Sequence, residues 1–342
     1  MKNFLIFVLF FAASLFAAVP KVVGYFPNWA QYSQFAPKDV RYNFVTDIRY
    51  GYLVPSGSEL IFADESDIVN FEALVKLSKE NKVRIFVSVG GIGNEQVMAE
   101  VSPNDLVAAA KAFVSKYGVD GFELDPGAIS AGSASKIVEL SNALLSAGLN
   151  VAIALPGEES FASAVPAETA SKLEALSLWF TDQMNASEGG SLKPNSNTVA
   201  NIKTMAAFAS AGIQKDKLMA IVPFYGKSFE GAKGIGSSFT GTGSGNDGTL
   251  QYRELMSKFN DANAYKVSLD QASQSEIAVS GQESIVFNGI PSMQAMAKAV
   301  KENGYGGIAA FDLSGDHKEP VVSLLVCIGQ ILRPEVIYKK KK

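Results

Sequence analysis

One short apolar run decides the fold of this chain: Val83-Arg84-Ile85-Phe86-Val87-Ser88-Val89 (VRIFVSV). Its hydrophobic residues are nearly continuous, which is typical of a parallel strand in a sheet that helices cover on both faces. Segments with apolar residues at helical spacing lie on either side of it, over residues 65–81 and 103–116. Ser102 is a candidate cap of the second helix, with Pro103 in its first turn. The pattern predicts an α/β chain with a parallel sheet.

The same alternation of strands and helices continues in both directions. Eight strand-like segments are predicted, at residues 22–26, 44–53, 83–89, 119–125, 151–155, 178–184, 218–224 and 306–311. Further helical segments are predicted at residues 134–146, 167–176, 199–211 and 320–332. Eight such units in about 320 residues predict a (β/α)8 TIM barrel. The alternative is an open doubly wound sheet, which is disfavoured because no GxGxxG follows the first strand.

The alternation is interrupted between the seventh and the eighth strand. Residues 231–248 are rich in Gly, Ser and Thr. A short helical segment at residues 250–259 follows, and then strand-like pieces occur around Tyr265 and Ile277. We therefore expect residues 227–286 to form a small α+β insertion of the barrel, rather than a separate domain or a linker.

The two ends of the chain differ from the barrel in composition. Residues 1–18 combine an early Lys2, an apolar run and small residues, which predicts a secretory signal peptide. An uncleaved membrane anchor is the alternative, although the run is short for a bilayer span. Residues 336–342 form a basic tail that we expect to be solvated. The barrel should then occupy residues 19–335 of a protein that is secreted or lies in the cell envelope.

Composition excludes several classes of function. The 342 residues are 47% hydrophobic and carry a net charge of -4, so the chain is neither disordered nor basic. We therefore expect no nucleic-acid partner. A single cysteine, Cys327, and a single histidine, His317, exclude a disulfide framework, a thiolate cluster and a multi-histidine metal site. We predict a monomer that has no cofactor and no metal site.

Aromatic and acidic residues collect where the predicted strands end, and barrel enzymes carry their chemistry at the carboxyl ends of strands. The candidates there are Tyr25, Trp29, Tyr52, Gly90, Gly91, Glu123, Asp125, Asp182, Met184, Tyr225 and Phe311. Aromatic rings stack on the apolar faces of sugars, while hydroxyl groups need polar partners. The set therefore indicates a sugar-binding cleft. The alternative is that Tyr25, Tyr52 and Phe311 only cap the barrel core.

Several segments, taken in order, resemble glycoside hydrolase family 18, the chitinases and chitinase-like lectins. The third strand ends in SVGG at residues 88–91, like the SxGG motif of the family. The segment VPFYGKSF at residues 222–229 is close to the family's PFYGRSF, with Lys227 in place of arginine. Residues 23–29 and 306–316 resemble its first and last strands. The resemblance implies the barrel, its insertion and a ligand that is an oligosaccharide or polysaccharide, such as one containing N-acetylglucosamine.

The catalytic signature of that family, DxxDxDxE, is incomplete in this sequence. Asp120 and Asp125 are kept, and Glu123 replaces the second aspartate. Gly127 stands where the family has the glutamate that donates a proton. In the family, the acetamido carbonyl of the substrate attacks the anomeric carbon while this acid protonates the leaving oxygen. Since a general acid contributes about 10²–10⁴-fold in rate, the resemblance implies binding with little hydrolysis.

Two further departures from the family pattern concern the sugar pocket. The sixth strand of the family ends in MxYD, whereas Met184 is followed by Asn185, Ala186 and Ser187. The tryptophan of the eighth strand is replaced by Phe311, which can stack on a sugar but has no N–H donor. The resemblance therefore implies an altered acetamido pocket as well as a missing proton donor.

Side-chain parity along the strands directs Glu123, Asp125 and Asp182 into the barrel, if the family orientation holds. Carboxylates crowded in a medium of low dielectric constant raise one another's pKa. One of the three is then expected to stay protonated near neutral pH.

These acids allow three interpretations. The first is a relocated catalytic acid, either Asp182 or one of the loop residues Glu158 and Glu159. The second, which we favour, is a remnant cluster that is hydrogen-bonded to Ser88 and Tyr225. The third is a cation bound among the acids.

The sequence leaves three functions open. The favoured one is a secreted chitinase-like protein that binds carbohydrate and has lost hydrolysis. The second is an active glycoside hydrolase that cuts chitin or another glycan with a relocated acid such as Asp182. The third is a structural or interaction module of the cell envelope with a vestigial cleft.

Overall fold

The structure is a computed structural model that describes residues 19–181, 190–259 and 264–335. Its central feature is a closed sheet of eight parallel strands. They are β1 (Lys21–Pro27), β2 (Asp47–Ser56), β3 (Arg84–Gly90), β4 (Gly121–Asp125), β5 (Val151–Pro156), β6 (Ala175–Trp179), β7 (Leu218–Pro223) and β8 (Gly307–Phe311). Each strand pairs with its neighbours in the chain, and β1 closes the ring by pairing with both β2 and β8. The predicted TIM barrel is confirmed, and the open doubly wound sheet is wrong.

Helices cover the outside of the barrel. The helices of the described residues are α1 (Asp67–Glu80), α2 (Glu95–Glu100), α3 (Pro103–Tyr117), α4 (Ser135–Ser146), α5 (Ala167–Lys172), α6 (Thr198–Ser210), α7 (Tyr252–Lys258), α8 (Ile290–Asn303) and α9 (Leu324–Leu332). Of these, α7 lies in the insertion between β7 and β8 and not on the barrel. The cap predicted for α3 is present, because the Ser102 hydroxyl accepts a hydrogen bond from the backbone N–H of Asp105 at 3.1 Å.

Side chains of the strands alternate between two apolar layers. On β1, Val22 and Phe26 face the helices and belong to the large outer core, whereas Val23 and Tyr25 belong to the smaller cluster inside the barrel. Trp179 and Phe311, at the ends of β6 and β8, pack against this inner cluster. Aromatic rings therefore close the interior of the barrel just beneath the carboxyl ends of its strands.

The insertion between β7 and β8 is an antiparallel sheet with one short helix, α7. Its strands are Tyr225–Glu230, Gly241–Thr242, Thr249–Gln251, Lys266–Asp270, Ser275–Val279 and Glu283–Phe287. It contacts the loop after β1, where an Arg253 guanidinium nitrogen donates to the backbone oxygen of Ser33 at 2.8 Å. This contact holds the insertion against one rim of the barrel mouth.

The predicted boundaries of three elements are wrong. The helix predicted at 167–176 ends at Lys172, and the strand predicted at 178–184 is β6, which runs from Ala175 to Trp179. Residues of β6 pair in parallel with both β5 and β7, so the barrel's hydrogen bonds override the helical preference of this Ala- and Leu-rich segment. The helix predicted at 320–332 is also shorter, since α9 begins at Leu324 after the Ser323 cap.

The ends of the chain, predicted as a signal peptide at 1–18 and a basic tail at 336–342, lie outside the described residues, as do Asp182 and Met184. In the three described ranges, no helix has both the length and the hydropathy that a bilayer span requires.

Candidate active site

A cavity of about 510 Å³ opens at the carboxyl ends of the barrel strands. Its lining includes Trp29, Tyr52, Ile92, Asp125, Gly127, Ala128, Ile129, Pro156, Glu158, Trp179, Thr181, Tyr225 and Phe311. The sequence analysis named five of these as candidates: Trp29, Tyr52, Asp125, Tyr225 and Phe311. We call this space the strand-end cleft.

Aromatic rings form the floor and one wall of the strand-end cleft. The ring centroid of Phe311 lies 4.7 Å from that of Trp179 and 5.3 Å from that of Tyr25. Trp29 stacks beside Tyr52 with centroids 6.4 Å apart. Such a surface offers flat apolar faces to a pyranose ring. Both tryptophans of the chain therefore belong to this one cleft.

Sequence analysis missed Trp179 as a site residue. The strand was predicted to run from residue 178 to residue 184, which placed Trp179 near its start, whereas β6 ends at Trp179. Thr181, two residues beyond the end of β6, also lines the cleft.

Glu123 lies beneath the cleft, inside the barrel, and is fully buried. Its Oε1 accepts hydrogen bonds from the hydroxyls of Tyr25 and Ser88, each at 2.7 Å. Its Oε2 lies 3.4 Å from Nε of Arg49, whose side chain is 1% exposed. Glu123 is therefore the centre of a buried polar cluster. The hydrogen bond with Ser88 was predicted from the sequence, whereas the contacts with Tyr25 and Arg49 were not.

Arg49 supplies the positive charge that balances Glu123. Its guanidinium carbon lies 4.0 Å from the centroid of the Phe86 ring, and its nitrogens have no hydrogen-bond partner among the described residues. The pair is held by charge and packing rather than by hydrogen bonds. An arginine within strand β2 was the available signal for this role, but it was not used as one.

Asp125 is the cleft's own buried carboxyl group. It accepts hydrogen bonds from the backbone N–H of Gly127 at 2.9 Å and from the Tyr52 hydroxyl at 3.1 Å. Burial, with a smaller contribution from the charge of Glu123, raises the pKa of Asp125 to about 7, although the hydrogen bonds from Gly127, Tyr52 and Trp179 oppose the rise. Asp125 is therefore close to half-protonated at neutral pH, and the main cause is desolvation rather than crowding.

Gly127 lies in a turn that leads the chain away from β4. Its φ of +73° is in the left-handed region, and a Cβ atom at this position would lie 2.6 Å from Oε1 of Glu95 and 3.0 Å from the backbone oxygen of Gly91. Both the left-handed backbone conformation and the lack of space beside residue 127 therefore disfavour a side chain there. The chain thus makes a glycine-dependent turn at the position where the proton donor is missing.

The carboxylate of Glu95 fills the space beside Gly127. It accepts hydrogen bonds from the backbone N–H groups of Ala128 at 3.0 Å and Gly93 at 3.0–3.1 Å. Slight desolvation raises the pKa of Glu95, but these hydrogen bonds outweigh it and lower the pKa below its ordinary value. Glu95 is thus an anion at neutral pH, which makes it unsuited to donate a proton.

Asp120 and the two glycines of the SVGG motif support the strands instead of lining the cleft. The Asp120 carboxylate accepts a hydrogen bond from the backbone N–H of Ile85 at 2.7 Å, at the opposite end of the barrel. Gly90 and Gly91 have positive φ, and a Cβ atom on them would lie 2.2 Å from the Asp125 backbone oxygen and 2.7 Å from the Tyr52 ring, respectively. They permit this close approach.

The two loop acids considered as relocated donors are both exposed. Glu158 lines the cleft and accepts a hydrogen bond from the Ser160 hydroxyl at 3.3 Å. Glu159 forms an ion pair with Lys203 at 2.9 Å. In the described part of the chain, no group of three or more His, Cys, Asp or Glu side chains has the arrangement of a metal site.

The chain is a closed (β/α)8 barrel whose carboxyl groups and aromatic rings collect at the strand ends, where barrel proteins carry their sites. Residues 21–316 match the sequence profile of the family "Glycosyl hydrolases family 18", so the chain belongs to that family. The resemblance noted in the sequence is thereby confirmed.

Known relatives agree with this assignment. The chitinase-like mite allergen Der p 18.0101 of Dermatophagoides pteronyssinus is 22% identical over 341 residues, which cover 87% of this chain and 71% of the allergen. An immunomodulatory active chitinase from Trichuris suis superposes with a TM-score of 0.82 at 18% identity, covering 92% of this chain and 99% of the chitinase. The Ostrinia furnacalis Group IV chitinase gives a TM-score of 0.80 at 19% identity, with coverage of 92% and 99%. At these identities the structural similarity establishes the fold.

Proposed function

We propose that this chain is an exported chitinase-like protein that binds an oligosaccharide in the strand-end cleft and hydrolyses it little or not at all. The observation that carries the proposal is Gly127, a glycine in a left-handed turn at the position of the family's proton donor. Export rests on the signal-like residues 1–18. N-terminal sequencing of the exported protein should then find a start near Val19.

Loss of hydrolysis is supported by the state of the other carboxyl groups near residue 127. Glu95 is held as an anion by backbone N–H groups, and Glu158 is exposed to water. Asp125 is bound by its own neighbours at the base of the cleft. A general acid must carry a proton and reach the leaving oxygen. Glu95 is ionised, and Asp125, which is in part protonated, is already engaged by Tyr52 and Gly127 at the base of the cleft.

Binding of an oligosaccharide is supported by the aromatic floor and by the related structures. Ostrinia furnacalis Group II chitinase has been crystallised with a penta-N-acetylchitooligosaccharide, and YKL-39 in the presence of GlcNAc4. In this chain the cleft has a size suited to a sugar, and its aromatic lining consists of Trp29, Tyr52, Trp179 and Phe311. We therefore propose N-acetylglucosamine oligomers as the first ligands to test.

Chitotetraose tests both halves of the proposal. Because both tryptophans of the chain line the cleft, we expect saturable changes in intrinsic fluorescence on titration. We expect no new reducing ends after prolonged incubation. Turnover that is abolished by Asp125→Ala would instead establish an active hydrolase, and absence of any binding would favour the interaction module with a vestigial cleft.

Restoring the family's glutamate is not expected to restore activity. In the Gly127→Glu variant, the left-handed φ and the contacts with Glu95 and the Gly91 oxygen should lower the free energy of unfolding by about 1–3 kcal/mol. The new carboxyl should also be displaced from the position that protonates a glycosidic oxygen. Denaturant unfolding and a reducing-end assay with chitotetraose measure the two effects.

Gly127→Ala is the matched control, since it keeps the backbone strain without adding a carboxyl group. Gly127→Glu combined with Glu95→Ala relieves the side-chain contact and should recover part of the lost stability. A Gly127→Glu variant that is as stable as the unmodified protein and cleaves chitotetraose would show that the turn does not obstruct catalysis.

A further inference from the structure

A second cavity adjoins the strand-end cleft on the side of the insertion. Its volume is about 830 Å³, and it shares Trp29, Tyr225 and Phe311 with the strand-end cleft. We call it the side cavity. Because the two spaces meet at the same three aromatic rings, an oligosaccharide that occupies the cleft can extend one end into the side cavity.

Three cationic side chains line the side cavity. Lys227 lies on the strand Tyr225–Glu230, Arg253 in the first turn of α7, and Lys318 in the segment after β8. Among the described residues, none of the three forms an ion pair. The chain as a whole is acidic, with a net charge of -4, so this concentration of unpaired cations is not a consequence of its composition.

The two acids of the side cavity have other partners. Glu254 accepts a hydrogen bond from the backbone N–H of Gln251 at 2.8 Å, in the capping box of α7. Asp312 is buried and accepts from the backbone N–H of Ser314 at 2.8 Å and from the Trp29 indole. Burial raises the pKa of Asp312, and the three cations of the cavity outnumber its two acids. The cavity therefore has an excess of positive charge.

A polar atom without a partner adds a second reason to expect a ligand here. Gln251 lines the side cavity, and its Nε2 donates to the hydroxyl of Ser33 at 3.2 Å. Its Oε1 is buried and has no hydrogen-bond partner among the described residues. A buried acceptor without a donor is unfavourable, and a sugar hydroxyl would satisfy it.

We propose that the side cavity binds an anionic group, a carboxylate or a sulfate, on a glycan whose adjoining sugar occupies the strand-end cleft. The inference rests on the proposed function, because it assigns the class of glycan that the same cleft binds. One guanidinium nitrogen of Arg253 donates to Ser33, and its other N–H donors suit a planar or tetrahedral anion, to which the two lysines add point charges. A neutral oligosaccharide, such as an N-acetylglucosamine oligomer, would bring no negative charge to pair with these three cations.

Calorimetric titration with three tetrasaccharides of equal length tests this inference: chitotetraose, a hyaluronan tetrasaccharide and its sulfated derivative. At low ionic strength we expect at least one acidic ligand to bind about tenfold more tightly than chitotetraose. This factor corresponds to the free energy that one hydrogen bond to a charged group contributes. Salt should reduce this advantage, since it screens exposed charges. A preference already present with hyaluronan assigns a carboxylate, and one confined to the derivative assigns a sulfate.

The double variant Lys227→Gln, Lys318→Gln, which keeps the contact of Arg253 with Ser33, should reduce the ratio of acidic to neutral affinity toward one. Its matched control is Lys76→Gln, Lys111→Gln, which removes two exposed charges from α1 and α3 on the outside of the barrel and should keep the ratio. Equal affinity for neutral and acidic ligands would overturn this inference and leave the proposed function standing. The same holds if the ratio of acidic to neutral affinity is unchanged in the double variant. If no tetrasaccharide binds, the proposed function fails with it.

Discussion

Arg49→Met should lower the free energy of unfolding by about 3–5 kcal/mol, because it removes one partner of a buried ion pair and leaves the other charged. Glu123 is 0% exposed, and Arg49 is its cationic partner at 3.4 Å. The hydroxyls of Tyr25 and Ser88 remain but do not neutralise a carboxylate. Methionine fills a similar volume against Phe86, so the lost charge, and not a cavity, should dominate. Denaturant unfolding measures the effect.

Removing both charges separates the ion pair from packing. Arg49→Met combined with Glu123→Gln should recover at least half of the loss, since the amide oxygen can still accept from Tyr25 and Ser88. The single Glu123→Gln variant, which leaves Arg49 unpaired, should be destabilised like Arg49→Met. A double variant as unstable as the sum of both single variants would refute the role that we assign to the pair.

Trp179→Ala should weaken binding of chitotetraose by about 30–100-fold, which corresponds to roughly 2–3 kcal/mol. Trp179 contributes the apolar face at the end of β6, and its ring packs on Phe311 at 4.7 Å and on Tyr25 at 5.6 Å. Its side chain also hydrogen-bonds to Asp125. Calorimetry is the suitable measurement, because the substitution removes one of the two fluorescent side chains.

Trp179→Phe is the matched variant for this prediction. It keeps a stacking ring, although a smaller one, and removes the N–H donor, so its affinity should stay much closer to that of the unmodified protein. Thermal unfolding of both variants checks that the barrel is intact. If Trp179→Ala binds chitotetraose as tightly as the unmodified protein does, the sugar does not lie on the floor of the strand-end cleft.

The fold was largely predictable because its signals are local. The apolar run at residues 83–89 became β3, and the pattern of Ser102 and Pro103 became the capped start of α3. The prediction was wrong at β6 (Ala175–Trp179), because the composition of this segment resembles that of a helix. Pairing with β5 and β7 decided that segment, and contacts between distant strands leave no signature in a short window of sequence.

The site was predictable only in part. The strand-end positions of Trp29, Tyr52, Asp125, Tyr225 and Phe311 follow from barrel topology, and all five line the cleft. Three contributions were missed for different reasons. The strand that carries Trp179 was predicted to end later, and the charge of Arg49 within β2 was not used. Glu95 begins the short helix α2, whose position beside Gly127 is set by contacts that composition does not specify.

By itself the sequence determined the barrel, the family and the absence of a side chain where the family's acid stands, because each is written in residue types at fixed spacing. Only the tertiary structure decided what surrounds that glycine. It turns the backbone at Gly127 into the left-handed region, sets the Glu95 carboxylate beside it and pairs Arg49 with Glu123. These arrangements join residues far apart in the chain, and the physical reason is that packing and desolvation act on neighbours in space.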